Sequence, residues 1–114
     1  MSKFDEKILF YKNNMTSMGI PYEDELFNKI TRGLGPSIFK RDAASVSTSD
    51  EKEIFTVKHN FLINKLGLED GAYLDDAINK VGVLMGKTNR VKYRAIFYYL
   101  LVKELGQESK ILNK

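Results

Sequence analysis

The residues that look most like chemistry are Gly82, Val83, Leu84, Met85, Gly86, Lys87 and Thr88, which end in the Gly-Lys-Thr of a phosphate-binding loop. In a true loop of that kind, G-x-x-x-x-G-K-[ST], the glycines let backbone N–H groups converge on phosphates. The lysine then reaches the outer phosphates and the hydroxyl holds magnesium. The spacing here departs from the rule: Gly82 is one residue too close to Gly86, and the position that needs glycine holds Val81. The context departs as well, because the motif follows a strand and Val81, Val83, Leu84 and Met85 continue a helical pattern. The structural reading covers all three key residues. Gly86 is expected as the left-handed stop of one helix, Thr88 as the N-cap of the next, and Lys87 lies between them.

A different question survives. Lys87, Arg90, Lys92 and Arg94 put four bases at the start of that next helix with no acid among them. Bases there oppose the helix dipole, so something negative must answer them. One answer is pairing with the acidic run Glu69 to Asp76 or with another helix. The other is an anion seated on the helix N-terminus, with Lys87, Thr88, Arg90 and Arg94 as its residues. A second anion candidate is Arg32-Gly-Leu-Gly-Pro36, whose order is that of helix-hairpin-helix DNA binders. There Gly33 and Gly35 would present amides to a phosphate and Lys40 and Arg41 would add charge. Phe39 fits that motif badly, and the alternative is a helix stop at Gly33 followed by a turn opened by Pro36.

Catalysis needs a constellation, and little announces one. His59 is the only histidine and sits beside the apolar stripe of its helix, near Phe55 and Leu62, so a partly buried structural role is expected. Asp75 and Asp76 are neighbours on a helix and point about 100° apart, so they do not share a site. Lys58 is the anomaly: its helical phase puts it near the middle of an apolar face, between Ile54, Phe61 and Leu62. Either its stem lies along the core edge with the ammonium in water, or it is desolvated with a lowered pKa or a carboxylate partner. No metal site, cofactor or enzyme activity is expected.

These residues must be positioned by helices, since no segment alternates like a strand. The expected helices run from about Lys3 to Met18, Tyr22 to Arg32, Ser47 or Thr48 to Leu66, Gly71 to Met85, and Thr88 to Leu105. The first opens on a Ser2 and Asp5 capping box and stops at Gly19. The third has a broad apolar face of Ile54, Phe55, Val57, Phe61, Leu62 and Leu66. The fourth carries Leu74, Ala77, Ile78, Val81 and Met85 on one side. The fifth is apolar all round from Ala95 to Val102, so it must be surrounded by the others. The expected fold class is therefore all-α, a compact orthogonal or antiparallel bundle of five helices plus a short helical turn, with the central helix near 88–105. Residues 1–106 form one domain and 107–114 a frayed tail.

At 114 residues, 43% hydrophobic and 29% charged, the chain is one globular domain rather than a disordered segment. With no cysteine it has no disulfide framework and no thiolate zinc site. The longest apolar run, Ala95 to Val102, falls far short of the ~20 residues that cross a bilayer. The net charge of +3 is too mild to drive nucleic-acid binding alone. A cytoplasmic protein with no membrane partner is expected.

The blocks GLGPSIFKRDAASVSTSDEKE, TVKHNFLINKLG and TNRVKYRAIFYYLLVKELG resemble those of a small bacterial family, domain of unknown function 2853. The resemblance covers nearly the whole chain. It implies a stand-alone cytosolic protein and carries over no activity and no functional residue. The function expected is that of a small non-catalytic interaction protein. A protein partner or a second copy would meet spare apolar residues such as Leu9, Phe10 and Ile63. The alternative is a nucleic-acid or other phosphate-backbone binder that uses residues 33–36 and 87–94.

Overall fold

Ser2 starts the first helix by accepting a hydrogen bond from the Asp5 amide on its hydroxyl, at 3.1 Å. The computed structural model of the chain describes residues 2–40, 43–86 and 91–113. Helix α1, Lys3–Ser17, buries Ile8, Tyr11 and Met15 at steps of three and four, and Gly19 at φ 72° turns the chain out of it. Helix α2, Asp24–Leu34, buries Leu26, Phe27, Ile30 and Thr31. It runs past the expected stop at Gly33 and ends at Gly35, φ 63°. The cause is Pro36: the residue before a proline is driven out of the α region, so the break falls on Gly35. A single 3-10 turn, Gly35–Phe39, follows and buries Ile38.

Helix α3, Glu51–Thr56, is capped by Asp50, whose side chain accepts from the Lys52 amide at 2.9 Å. The expected caps Ser47 and Thr48 lie in the turn before it. The helix continues without a break as a π-helix, Val57–Lys65, closed by the Leu66 amide on the Phe61 carbonyl at 2.9 Å. The wider turn changes which residues face inward. Val57, Phe61, Leu62 and Leu66 recur at steps of four and five and are buried, while Phe55 is exposed, against expectation.

Helix α4, Ala72–Gly86, buries the expected Leu74, Ala77, Ile78, Val81 and Met85. Gly86 is its last residue but does not adopt a left-handed φ. Helix α5, Arg94–Glu104, buries every residue from Arg94 to Val102 and packs against both α2 and α4. It is the centre of the bundle, as its all-round apolarity requires. It begins at Arg94, with Tyr93 at its N-cap, six positions later than expected. The chain before it is extended and pairs with the segment ahead of α3. The Val46 amide donates to the Lys92 carbonyl at 2.7 Å and the Arg94 amide to the Ala44 carbonyl at 2.8 Å. After Gly106, φ 66°, the chain does not fray: helix α6, Glu108–Leu112, returns onto α2 and buries Ile111. The fold is an all-α bundle with a radius of gyration of 13.2 Å, as expected of a compact chain of this length.

Candidate functional site

Arg94 is one of the bases expected to seat an anion at the start of the last helix, and the fold answers it from within. Its side chain is buried, and four of its five N–H donors have partners within the fold. Nε donates to the Ala43 carbonyl at 2.7 Å, one terminal nitrogen to the Tyr98 hydroxyl at 2.9 Å, and the other to the Ser45 carbonyl at 3.2 Å and to the Glu53 carboxylate. Burial works against its charge, and Tyr98 and Glu53 more than reverse that, so its pKa stands above the ordinary arginine value. The guanidinium is thus a pin joining α5, α3 and the segment at 43–45. It has no face left for a phosphate, which removes it from the anion candidates. The other three candidates there, Lys87, Thr88 and Arg90, lie outside the described residues, as does Arg41.

The Gly33–Pro36 hairpin has a comparable internal explanation. Three helix C-termini converge near it, and each is met by a lysine from the next helix. Lys29 of α2 donates to the Leu112 carbonyl at the end of α6 (3.1 Å), and Lys110 of α6 donates to the Leu66 carbonyl just past the π-helix (2.7 Å). Lys65 of the π-helix closes the ring on the Gly33 carbonyl at a longer 3.4 Å. Unpaired terminal carbonyls and the negative ends of three helix dipoles call for cations there, and the lysines supply them. Gly35 ends α2 and passes directly into the 3-10 turn, with no second helix to complete a DNA-binding hairpin. Lys40 is exposed at the end of that turn.

Lys58 has two carboxylate partners, Asp70 and Asp75, each at 3.0 Å. The hydrogen bonds it donates to these carboxylates raise its pKa from the ordinary 10.5 rather than lowering it. The lysine consequently stays charged and staples the π-helix to the start of α4. His59 lies flat on Phe55, ring centroids 4.0 Å apart, beside this cluster. Among the described residues, no group of three or more His, Asp or Glu side chains is placed to hold a metal ion. The two tyrosine hydroxyls in α5 have partners: Tyr98 accepts from Arg94, and Tyr99 accepts from the Glu23 amide at 2.9 Å, which closes the start of α2.

The phosphate-loop glycines are packing residues. Gly82 lies inside α4 beneath Thr48, whose methyl carbon would be 3.4 Å from a Cβ added there. Gly86 ends the helix, with the Lys92 side chain alongside.

An apolar concave feature of the surface lies elsewhere, where α4 meets α5 and the end of α1. A groove of about 610 Å3 is floored by Met18, Ile20, Val81 and Leu100 and walled by Val83 and Leu84, with Lys80, Lys103 and Glu104 on its rim. Val83 is 62% and Leu84 54% exposed. The α4 pattern held the signal for this site: Val83 and Leu84 are apolar yet fall outside its buried stripe. Of the apolar residues expected to be spare, Leu9 and Phe10 are exposed on α1, whereas Ile63 packs against the core.

The model of the family described as Protein of unknown function (DUF2853) matches residues 10–109, and the chain belongs to that family. No curated protein matches the sequence. Among the described residues, no helix is long and apolar enough to cross a membrane.

Proposed function

We propose that this chain is a cytoplasmic, non-catalytic interaction protein that pairs with a second copy of itself through the groove between α4 and α5. The observation that carries this reading is the adjacency of an apolar concavity and two exposed apolar side chains on one helix. A two-fold pairing lays Val83 and Leu84 of each copy into the groove of the other, because an isologous contact uses the same patch twice. The rim is self-complementary in charge. Lys80 pairs with Glu104 at 3.2 Å within the chain, and Lys103 is held by Glu23 and Glu108. Across a two-fold axis, Lys80 and Glu104 exchange partners with no charge left over. The layout of an apolar centre inside a mixed-charge rim is that of protein–protein interfaces.

The non-catalytic part of the reading is supported by the state of the reactive side chains. Lys58 is held charged between two carboxylates, and Arg94 is consumed by Glu53 and backbone carbonyls.

Light scattering from micromolar to millimolar protein tests the pairing. The expected result is a mass that doubles with concentration, and a Leu84→Glu variant that stays monomeric with its helical signal unchanged. A monomer at every concentration, or a dimer indifferent to Leu84→Glu, overturns it.

A further inference from the structure

Apart from that groove, α1 and the 3-10 turn form a second concave face of different chemistry. A cavity of about 360 Å3 is lined by Lys3, Glu6, Lys7, Phe10 and Phe39. The three- and four-residue spacing of Lys3, Glu6, Lys7 and Phe10 sets them on one side of α1. The fifth residue, Phe39, comes from the end of the 3-10 turn, and Lys40 follows it. Both rings are exposed, Phe10 by 44% and Phe39 by 47%. Both are also braced edge to face from within: Tyr93 stands against Phe10 with centroids 5.4 Å apart, and Phe4 against Phe39 at 6.3 Å. Two exposed rings that line one cavity, each braced by a second ring, are not explained by core packing.

The charge around them is equally specific. Lys3, Lys7 and Lys40 form no ion pair among the described residues, while the other base of this face, Arg32, is paired with Asp5 and lies over Phe4. Lys7 lies 5.8 Å from the Phe10 ring centroid. Lysines with no ion pair among the described residues, set around exposed aromatic faces, are what a single strand of nucleic acid requires, since bases stack on rings and phosphates meet ammonium groups. Glu6 also lines the cavity, and a carboxylate there can accept hydrogen bonds from the amino or imino N–H groups on a base edge, donors that bear on a nucleobase rather than on a phosphate alone. A duplex keeps its bases stacked away from such a cavity, so an unpaired strand is the form that fits.

We propose that the face formed by Phe10, Phe39, Lys3, Lys7 and Lys40 binds single-stranded nucleic acid, with a base seated between the two rings and the flanking phosphates on the lysines. This site is separate from the α4–α5 groove and does not depend on self-association.

Fluorescence anisotropy with labelled 12-nucleotide single strands of DNA and RNA, and with the matching duplexes, tests it between 50 and 200 mM salt. Single strands are expected to bind more tightly than duplexes, and log affinity to fall with log salt at a slope of about −2, as three phosphate contacts require. Phe39→Ala and Phe10→Ala are each expected to weaken binding about tenfold. Phe10 packs on Tyr11 and Tyr93 and Phe39 on Phe4, so Lys3→Glu, at an exposed position outside these ring pairs, keeps the test independent of folding and is expected to weaken binding severalfold. Leu84→Glu is expected to leave binding unchanged. No binding at 50 mM salt, equal binding of duplex, or affinity indifferent to both ring variants overturns the proposal. So does sedimentation with phosphatidylserine vesicles that the ring variants abolish while oligonucleotides fail to bind, which reassigns the face to a membrane surface.

Discussion

The Glu53 carboxylate closes on the Arg94 guanidinium across 41 residues of sequence, and both side chains are largely withdrawn from water. This pair fixes α5 to α3 and, through the Ala43 and Ser45 carbonyls, holds the chain that precedes α3. Breaking a buried pair from one side leaves an uncompensated charge, which is costlier than removing both. Glu53→Met is therefore expected to lower unfolding free energy by about 3 kcal/mol. Glu53→Met with Arg94→Met is expected to recover part of that loss. Urea denaturation of both single variants and the double gives the coupling, and additive losses would show that the two side chains do not act as a unit.

The Lys58 staple makes a prediction about pH. Asp70 is held below its ordinary 3.8, mainly by its hydrogen bond from Lys58, and Lys58 is held above 10.5 by Asp70 and Asp75. A carboxyl whose folded pKa is depressed adds stability above its unfolded value and loses it as pH falls through the folded one. The raised lysine adds stability below its unfolded value and loses it as pH rises through the folded one. Lys58→Met is thus expected to flatten the stability profile below pH 3.8 and above pH 10.5. Thermal melts across pH check this, and parallel profiles for variant and wild type would remove the staple's role.

The C-terminal helix is expected to matter for the whole fold. Ile111 is buried against α2, and Lys110 and Lys29 tie α6 into the ring of helix termini. Ile111→Ala should cost about 2–3 kcal/mol, the usual range for emptying a buried isoleucine site. Lys110→Met should cost about 1 kcal/mol, since its hydrogen bond is partly exposed. Chemical denaturation distinguishes this arrangement from a frayed tail, for which both changes would be neutral.

What the sequence revealed and what it hid divide along the range of the interactions. The α4 stripe and the central position of α5 were legible because each follows from local periodicity or its absence. Lys58 was legible as an anomaly, since its phase set it among apolar residues, although its partners Asp70 and Asp75 lie beyond the helix. The start of α5 was hidden because Lys92 and Tyr93 are held extended by pairing with Ala44 to Val46, a contact that periodicity cannot carry. Phe55 was misplaced because a turn closed five residues back changes the inward face, and a 3.6-residue rule assumes otherwise. The fate of Arg94 was hidden for the simplest reason: Glu53 is on another helix. The α6 return was missed because Gly106 ends a helix whether or not the chain that follows finds a surface.

Gly82 offers the sharpest test of the loop-like sequence around it. In a phosphate-binding loop a side chain at the first glycine would crowd the backbone amides that hold phosphate. Here Gly82 is inside α4, and a Cβ on it would meet the Thr48 methyl carbon at 3.4 Å, an ordinary contact. Glycine in a helix interior costs roughly 0.5–1 kcal/mol relative to alanine through backbone entropy. Gly82→Ala is therefore expected to stabilise the protein by about that amount. A larger side chain must displace Thr48, so Gly82→Leu is expected to reverse the gain. Denaturation midpoints for the two variants decide the matter. A destabilising Gly82→Ala would mean that α4 needs glycine there for a reason other than the room beneath Thr48.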